Sequence, residues 1–243
     1  MNTFILDYKE LEPTSISGTL RFVSYDNYKK LTDFLATSKK LKISYKIPSS
    51  VAKKGFAEYF KDVDFLTITK TEKEINGILS ETITFNPLSL WYEENDFAYQ
   101  IETNDDDLRW NFRWNQRFRD YNSKNISYKN NGHIDAPIIL NIEGPVSNPE
   151  IEIYVGGELF QKVTFSVTLQ KNEKFLYEST EGNSYILKEN SDGTKEDLFN
   201  QEVIDIDNNN LILIPKASVE IKIKASTSIK KASLKILPQY FVV

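Results

Sequence analysis

The chain has 243 residues, a formal net charge of −5, and 40% hydrophobic and 13% aromatic content. This length and apolar content predict a folded protein with a substantial core, in one large β domain or two smaller ones. The acidic balance argues against neutralising phosphates over a broad surface, so non-specific nucleic-acid binding is not expected, and no specific nucleic-acid binding is predicted either. The absence of cysteine excludes disulfides, thiolate zinc sites and a cysteine nucleophile, and it fits folding in a reducing cytosol.

The N-terminal sequence MNTFILDYKELEP lacks the basic start and long apolar run of a signal peptide. No later apolar run approaches the length of a membrane span. We therefore expect a protein that is neither secreted through such a signal nor anchored in a membrane.

The first part of the chain predicts mixed α and β structure. Residues 17–23 alternate as a strand, and Asp26 is predicted to cap a helix over about residues 26–40. Three apolar residues share one helical face, and two lysines follow at the end where the helix dipole is negative: Tyr28, Leu31, Leu35, Lys39 and Lys40. Residues 41–47 then alternate as a strand that ends before Pro48.

Two further strands are predicted over residues 60–71 and 78–85, joined by Asn76-Gly77, a dipeptide that favours a tight hairpin. The acidic cluster 105–107 predicts a turn and a domain boundary. We therefore expect an N-terminal domain over residues 1–105 and a C-terminal domain over residues 106–243.

Four of the five arginines lie in the run RWNFRWNQRFR, residues 109–119, which alternates between basic and aromatic positions. A strand directs successive side chains to opposite faces, so this run predicts an aromatic face and a guanidinium face. The arginines of the guanidinium face are Arg109, Arg113, Arg117 and Arg119.

Three interpretations of this run are open. Nucleic-acid binding would need bases stacked on the aromatics and phosphates held by arginines, but the two sets face opposite ways. Burial of the aromatic face in a core is favoured. The arginines then either pair with carboxylates across a domain or subunit interface, or form pairs within the chain on a solvated face, because the planar guanidinium binds carboxylates in a bidentate manner.

From Ala136 onwards, eight short alternating segments are separated by Gly, Asn, Asp and Pro turns. This spacing predicts an antiparallel β-sandwich without helices. The predicted fold is mainly β, with one helix in the N-terminal domain.

The chemistry-bearing residues do not form a catalytic pattern. The single histidine, His133, stands in a turn and cannot build an imidazole-rich metal site, so no metal and no cofactor are expected. A glycosidase needs two facing carboxylates, and Glu93, Glu94 and Asp96 beside Trp91 are the best candidates for that chemistry.

The order of segments resembles the distal tail proteins of siphophages that infect Gram-positive bacteria. The resemblance is carried by NPLSLWYEEN, by the basic strand ending FRDY, and by KNNGHIDAPIILNIEGPVSNPEIEIYVGG. It extends from about Ser80 to the closing YFVV, and it covers the helix-containing start more loosely. The residues that match in order and spacing are Trp91, Tyr92, Gly132, Ala136, Pro137, Gly144, Asn148 and Pro149.

This resemblance implies an N-terminal domain that forms a ring, typically a hexamer, and a galectin-like C-terminal β-sandwich. It implies a non-enzymatic virion protein in the phage tail tip, assembled in the host cytoplasm. The implied partners are further copies of the chain, the tail tube protein, the tail-tip protein and, in some phages, receptor-binding proteins. The matching residues are structural in the family.

Two other functions remain as alternatives. A carbohydrate-binding module would use the concave face of the sandwich, or Trp91 and Tyr92, to stack on host cell-wall sugars. A glycoside hydrolase on a sandwich scaffold would use the carboxylates named above.

Overall fold

A computed structural model describes residues 15–38, 41–47, 57–69, 74–75, 78–100, 123–199, 211–227, 229–241 and 243. The chain is mainly β, as predicted, and the described residues contain one α-helix. It forms two compact units. The first consists of Met1–Glu93 together with Gln239–Val243, and the second of Glu94–Pro238.

The first unit is built on one antiparallel sheet and the helix. Its elements are β1 (Ile16–Phe22), α1 (Tyr25–Thr37), β2 (Leu41–Ile47), β3 (Ala57–Thr69), β4 (Glu74–Ile75), β5 (Ile78–Pro87), β6 (Trp91–Tyr92) and β20 (Gln239–Tyr240). The long strand β3 pairs with β2 through its first half and with β5 through its second half. Strand β1 pairs with the other edge of β5, and β20 pairs with β6.

The helix begins earlier than predicted. Ser24, not Asp26, is the N-cap: its backbone is extended and its Oγ accepts a hydrogen bond from Asn27 N at 3.4 Å. Asp26 lies in the first turn, where its charge is favourable at the positive end of the helix dipole. The helix ends at Thr37, and the two lysines predicted for its last turn lie outside the described residues.

The predicted hairpin before β5 is confirmed. Strands β4 and β5 pair antiparallel with Ile75 opposite Ile78, which leaves a two-residue connection at Asn76-Gly77. These two residues are themselves outside the described part of the chain.

The second unit is an antiparallel sandwich of two main sheets. Its elements are β7 (Asn95–Gln100), β8 (Ser123–Lys129), β9 (Ala136–Glu143), β10 (Val146–Ser147), β11 (Glu150–Val155), β12 (Glu158–Thr164), β13 (Thr168–Leu169), β14 (Lys174–Glu178), β15 (Tyr185–Glu189), β16 (Lys195–Asp197), β17 (Leu213–Ile214), β18 (Ser218–Lys224) and β19 (Lys231–Ile236). One sheet has the order β12-β11-β18-β8 and the other the order β16-β15-β14-β9-β19-β7.

Alternating apolar side chains from both sheets form one core. In β9, for example, Ile138, Leu140 and Ile142 are fully buried and face Phe175 and Tyr177 of β14. This cluster has 25 buried members, whereas the main buried cluster of the first unit has three. The sandwich therefore holds most of the apolar burial in the described residues.

Two features of the second unit were not predicted. Strand β8 is one, because Ile126 is the one fully buried side chain among its described side chains, residues 125–129, so its sequence pattern is weak. The other is β7, which pairs with β19 and places the start of the second unit at Glu94. The predicted boundary after residue 105 lies in residues 101–122, outside the described residues.

Candidate interaction surfaces

The arginine run stays a prediction. Arg109, Arg113, Arg117 and Arg119 all fall within residues 101–122, outside the described part of the chain. The surfaces that such a run could contact are described below.

Trp91 is a core residue of the first unit. Its side chain is 1% exposed, clusters with Ile16 and Val63, and has Lys61 Nζ 5.3 Å from its ring centroid. A buried ring cannot stack on a sugar, so the suggestion that Trp91 forms a glycan platform is wrong for this fold. The neighbouring side chain, Tyr92, is also buried.

Tyr92 anchors a polar contact within the same sheet. Its hydroxyl donates to Asp62 Oδ1 at 3.0 Å. Burial, opposed by Lys42 and reinforced by Asp62, raises the pKa of Tyr92 to about 12. The phenol therefore stays protonated and keeps donating this hydrogen bond over the whole physiological pH range.

Gly132, Ala136 and Pro137 lie at one junction of the sandwich. Asn130 Oδ1 accepts from Gly132 N at 2.9 Å, while Asn130 Nδ2 donates to the carbonyls of Ile134 and Ile214 at 3.0 Å each. Ala136 is fully buried opposite Ile214, and Pro137 O accepts from Leu237 N at 3.0 Å. These contacts tie the β8–β9 turn to the core.

Gly144, Asn148 and Pro149 lie at a second junction. A Cβ at Gly144 would stand 2.1 Å from Gln170 O, so only glycine fits the observed backbone. Asn148 has a positive φ of 49° and donates through its backbone N to Val167 O at 2.8 Å. Pro149 O accepts from Phe165 N at 2.9 Å. In this structure the residues on which the predicted resemblance rests make packing and turn contacts.

The carboxylates suggested for hydrolysis are already engaged. Glu94 Oε2 accepts from Lys235 Nζ at 2.6 Å, and Asp96 Oδ1 lies 3.6 Å from the same nitrogen. Glu93 Oε2 accepts from the hydroxyl of Tyr240 at 3.2 Å. A glycosidase also needs an acid with a raised pKa. In the described residues, every carboxyl whose pKa clearly departs from its ordinary value has a lowered one: Glu152, Glu173, Glu189 and Asp192.

The outer face of the four-stranded sheet carries a ladder of ion pairs. Glu152 Oε2 accepts from Lys224 Nζ at 2.5 Å and from the Tyr154 hydroxyl at 2.6 Å, and Lys162 Nζ lies 2.8 Å from Glu150 Oε2. Burial alone raises the pKa of Glu152, but the hydrogen bonds from Lys224 and Tyr154 outweigh it and lower the pKa to about 2. A sugar hydroxyl would have to displace these charged partners to bind this face.

The first unit exposes much apolar surface in its described residues. Eight large apolar side chains are exposed, against four in the larger second unit. The eight are Val23, Tyr25, Phe34, Tyr45, Phe65, Leu66, Ile78 and Leu88. One of them, Leu66, marks a register shift in the pairing of β3 with β5, because Phe65 and Thr67 have partners in β5 and Leu66 has none. Exposed apolar side chains that lie next to one another on a folded unit, as Phe65 and Leu66 do along the chain, are typical of protein–protein contact surfaces.

In the described part of the chain, strands β1 and β2 of the first unit's sheet each have one edge with no strand paired to it. Among the described residues, β1 pairs only with β5 and β2 only with β3. An open edge presents unpaired backbone N–H and C=O groups that accept a further strand.

The four exposed apolar residues in the described part of the second unit lie in or beside strands at the ends of its two sheets: Leu159 and Phe160 in β12, Leu211 beside β12, and Phe199 just after β16. Strands β7 and β8, at one end of each sheet, meet where the rings of Phe97 and Tyr128 are 5.8 Å apart. The other ends, β12 and β16, therefore face the opposite side. We call the four residues together the lateral patch: Leu159, Phe160, Phe199 and Leu211.

A β-bulge shapes the lateral patch. Ile153 pairs with Gln161 and Tyr154 with Leu159, so Phe160 is the extra residue of β12. Gln161 Nε2 donates to Leu211 O at 3.0 Å, which holds Leu211 beside this strand. Sequence reasoning missed the patch, although the adjacent apolar pair Leu159-Phe160 breaks the alternation and is the signal that could have revealed it.

Within the described ranges, no group of three or more His, Asp or Glu side chains is placed to hold a metal ion. The one helix found there is neither long nor apolar enough to cross a bilayer.

Residues 1–88 match the family model described as the distal tail protein, N-terminal domain. The predicted resemblance to distal tail proteins is thereby confirmed, and the match falls on the part of the chain where the resemblance was loosest. A search of curated proteins found no match.

Two solved structures share the fold. Both are of the phage P2 baseplate in its activated conformation, one with Ca and one with Sr, with TM-scores of 0.59 and 0.60. Each matched chain is 16% identical over 94% of this chain and 80% of its own length. At 16% identity, the likeness shows that the fold is shared and nothing beyond the fold.

Proposed function

We propose that this chain, which carries the N-terminal domain of the distal tail proteins, is a structural component of a phage tail, a hub that joins the tail tube to the tail tip by ring assembly. The observation that carries this proposal is that the first unit exposes more large apolar side chains than its main cluster buries. Among its described residues it combines a main buried cluster of three residues with eight exposed large apolar side chains. A unit of this kind gains stability when neighbouring copies cover its apolar surface.

The open edges of strands β1 and β2 allow copies of the chain to associate by strand pairing. If the free edge of β1 on one copy meets the free edge of β2 on the next, each copy uses two different surfaces. Such a heterologous contact closes into a ring when a whole number of the rotations between neighbouring copies adds up to 360°. The ring is proposed to be a hexamer, the number that the family resemblance implies.

The proposed hub has partners on both ends of its axis. The tail tube protein would dock on one end and the tail-tip protein on the other, with receptor-binding proteins at the periphery in the manner of a baseplate. The solved relatives with this fold belong to a phage baseplate, which supports a location in the virion tail. No catalytic role is part of the proposal.

The test is the mass and shape of the full-length chain. We expect native mass spectrometry and electron microscopy to show closed rings, either of the chain alone or together with its tail-tip protein. A chain that stays monomeric at all concentrations and never enters a tail would overturn the proposal.

A matched pair of variants addresses the interface. Leu66→Asp places a charge on an exposed apolar residue of β3, whereas Thr67→Asp changes the neighbouring residue, which is exposed and already polar. We expect Leu66→Asp to reduce the assembled fraction at least tenfold and Thr67→Asp to leave it near the wild-type value. Equal effects of the two variants would exclude the apolar surface of β3 from the contact.

A further inference from the structure

The turn between β8 and β9 contains a chemically labile dipeptide, Asn131-Gly132. Asparagine is one of the thermolabile residue types. A glycine after it raises the reactivity, because without a Cβ the following backbone nitrogen is sterically open to bond formation with the asparagine side chain. Asn131 is exposed to water, so the turn contains the residue pair from which a spontaneous deamidation starts.

This reaction needs no partner other than water. The backbone nitrogen of Gly132 loses its proton and attacks Cγ of Asn131, the Cγ–Nδ2 bond breaks, and Nδ2 leaves as ammonia after taking up one proton. Water then opens the five-membered succinimide at either of its carbonyls. The products are aspartate and isoaspartate, and isoaspartate adds a methylene to the main chain of the turn.

The structure engages the nucleophile of this reaction. Gly132 is buried, and its backbone N–H donates to Oδ1 of Asn130 at 2.9 Å. Loss of the proton would leave an amide anion facing a carbonyl oxygen, with no donor between the two atoms. The hydrogen bond therefore opposes the deprotonation that starts the attack on Asn131.

The side chain of Asn130 is fixed in this orientation. Asn130 is 3% exposed, and its Nδ2 donates to the carbonyl oxygens of Ile134 and Ile214 at 3.0 Å each. Its backbone N donates to Ala217 O at 3.1 Å. Exchanging Oδ1 and Nδ2 would place an oxygen against two carbonyls and a donor against the N–H of Gly132. The acceptor therefore stays directed at Gly132.

The other Asx-Gly step among the described residues is engaged in the same way. Asp192-Gly193 lies in the turn between β15 and β16, and Gly193 N donates to Asn190 O at 2.9 Å. Asp192 Oδ1 accepts from the Thr194 hydroxyl at 2.6 Å and from Thr194 N at 2.9 Å. These hydrogen bonds lower the pKa of Asp192, so its carboxyl is ionised and a poor electrophile. In both turns the glycine N–H that the reaction would use is already bonded.

We propose that Asn131 is a latent deamidation site and that the buried side chain of Asn130 suppresses the reaction by holding the Gly132 N–H. The inference is independent of the proposed function, because it concerns the chemistry of one turn. A tail component of the kind proposed above is not replaced after the particle leaves its host, so damage at this turn would accumulate there.

The first test compares the folded and the unfolded chain. The full-length wild type is incubated at mildly alkaline pH in buffer and, in parallel, in urea, and peptide mapping by mass spectrometry measures aspartate and isoaspartate at residue 131. Asn76-Gly77, the second Asn-Gly step of the sequence, calibrates the rate in urea. We expect Asn131 to react at least tenfold more slowly in buffer. Equal rates in buffer and in urea would overturn the proposal.

Two variants separate the role of Asn130 from the general rigidity of the turn. Asn130→Ala removes the acceptor of the Gly132 N–H and should raise the rate at Asn131 in buffer at least tenfold. Ala136→Gly is the matched control: it loosens the same junction at a fully buried residue and leaves Asn130 in place, so the rate should rise less than threefold. Equal rates in the two variants would show that rigidity, and not Asn130, protects the turn.

Amide hydrogen exchange measures the hydrogen bond without any substitution. In the folded wild type, we expect the Gly132 N–H to exchange at least tenfold more slowly than in the chain unfolded in urea. This measurement decides the outcome if circular dichroism shows that Asn130→Ala does not fold. Exchange of the Gly132 N–H at its unfolded rate would contradict the proposal.

Discussion

At the scale of single residues, the residues that the sequence resemblance singled out act through burial and backbone geometry. Trp91 packs in the core of the first unit, and Gly144 leaves space for a carbonyl oxygen. Asn148 tolerates a positive φ because its short side chain is compatible with the left-handed region. The residue type at each of these positions is set by the space available to the side chain and by the backbone conformation.

Removing the Trp91 side chain should destabilise the protein. We expect Trp91→Ala to reduce the free energy of unfolding by ~3–5 kcal/mol, because a fully buried indole leaves a large cavity. Tyr25→Ala, at a residue that is 66% exposed, should change it by less than about 0.5 kcal/mol. Chemical denaturation followed by circular dichroism measures both, and a neutral Trp91→Ala would contradict the assigned burial.

Gly144→Ala should be costly for a steric reason. A methyl group 2.1 Å from Gln170 O forces the backbone to move, so we expect a loss of ~3 kcal/mol or more, at the upper end of overpacking effects. Gly182→Asn is the control. Gly182 has a positive φ of 75° and open space at its Cβ, and asparagine tolerates that conformation at a cost of about 1 kcal/mol or less. Thermal unfolding of the two variants compares them directly.

At the scale of elements, strand alternation was the most reliable guide. The strands after residue 136 were predicted because buried and exposed positions alternate, as in β9 and β18. The helix was predicted with the wrong cap, because Ser24 and Asp26 are both good capping residues and only the backbone conformation selects between them. Strand β8 was missed because pairing with β18, a long-range interaction, defines it.

The ion-pair ladder on the sandwich predicts a specific response to acid. Lys224 and Tyr154 hold the pKa of Glu152 at about 2, below its ordinary value of 4.5. A carboxyl with a lowered folded-state pKa contributes stability above pH 4.5 and loses that contribution as the pH falls towards 2. We expect Glu152→Gln to be less stable than the wild type at pH 6, with the difference shrinking steadily below pH 4.5.

Urea denaturation of both proteins between pH 6 and pH 2.5 measures this difference. Glu196→Gln, at an exposed residue of β16, is the control for loss of one surface carboxylate. A Glu152→Gln deficit that stays constant over the whole range would show that the pKa is not lowered.

At the scale of the whole molecule, the first unit is completed by the end of the chain. Strand β20 pairs with β6, the ring of Tyr240 is 5.3 Å from that of Tyr59, and Val243 packs against the Trp91 cluster. The folding of the first unit therefore depends on residues that follow the entire second unit.

Ending the chain after Pro238 tests this dependence. We expect hydrogen–deuterium exchange to increase in β3 and β6, which lose β20 and its side-chain contacts, and to stay unchanged in β9 and β14 of the sandwich core. The sandwich serves as an internal control. Unchanged protection in β6 would show that β20 does not stabilise the first unit.

The sequence by itself determined the mainly β fold, the position of the helix in the first unit, most of the strands and the resemblance to distal tail proteins, because periodicity, turn residues and motif order are local properties. The tertiary structure alone decided that Trp91 is buried, that the last strand returns to the first unit, and that Phe160 is the extra residue of a β-bulge. Each of these depends on which distant strands pair, and pairing between distant strands is set by the packing of the whole chain.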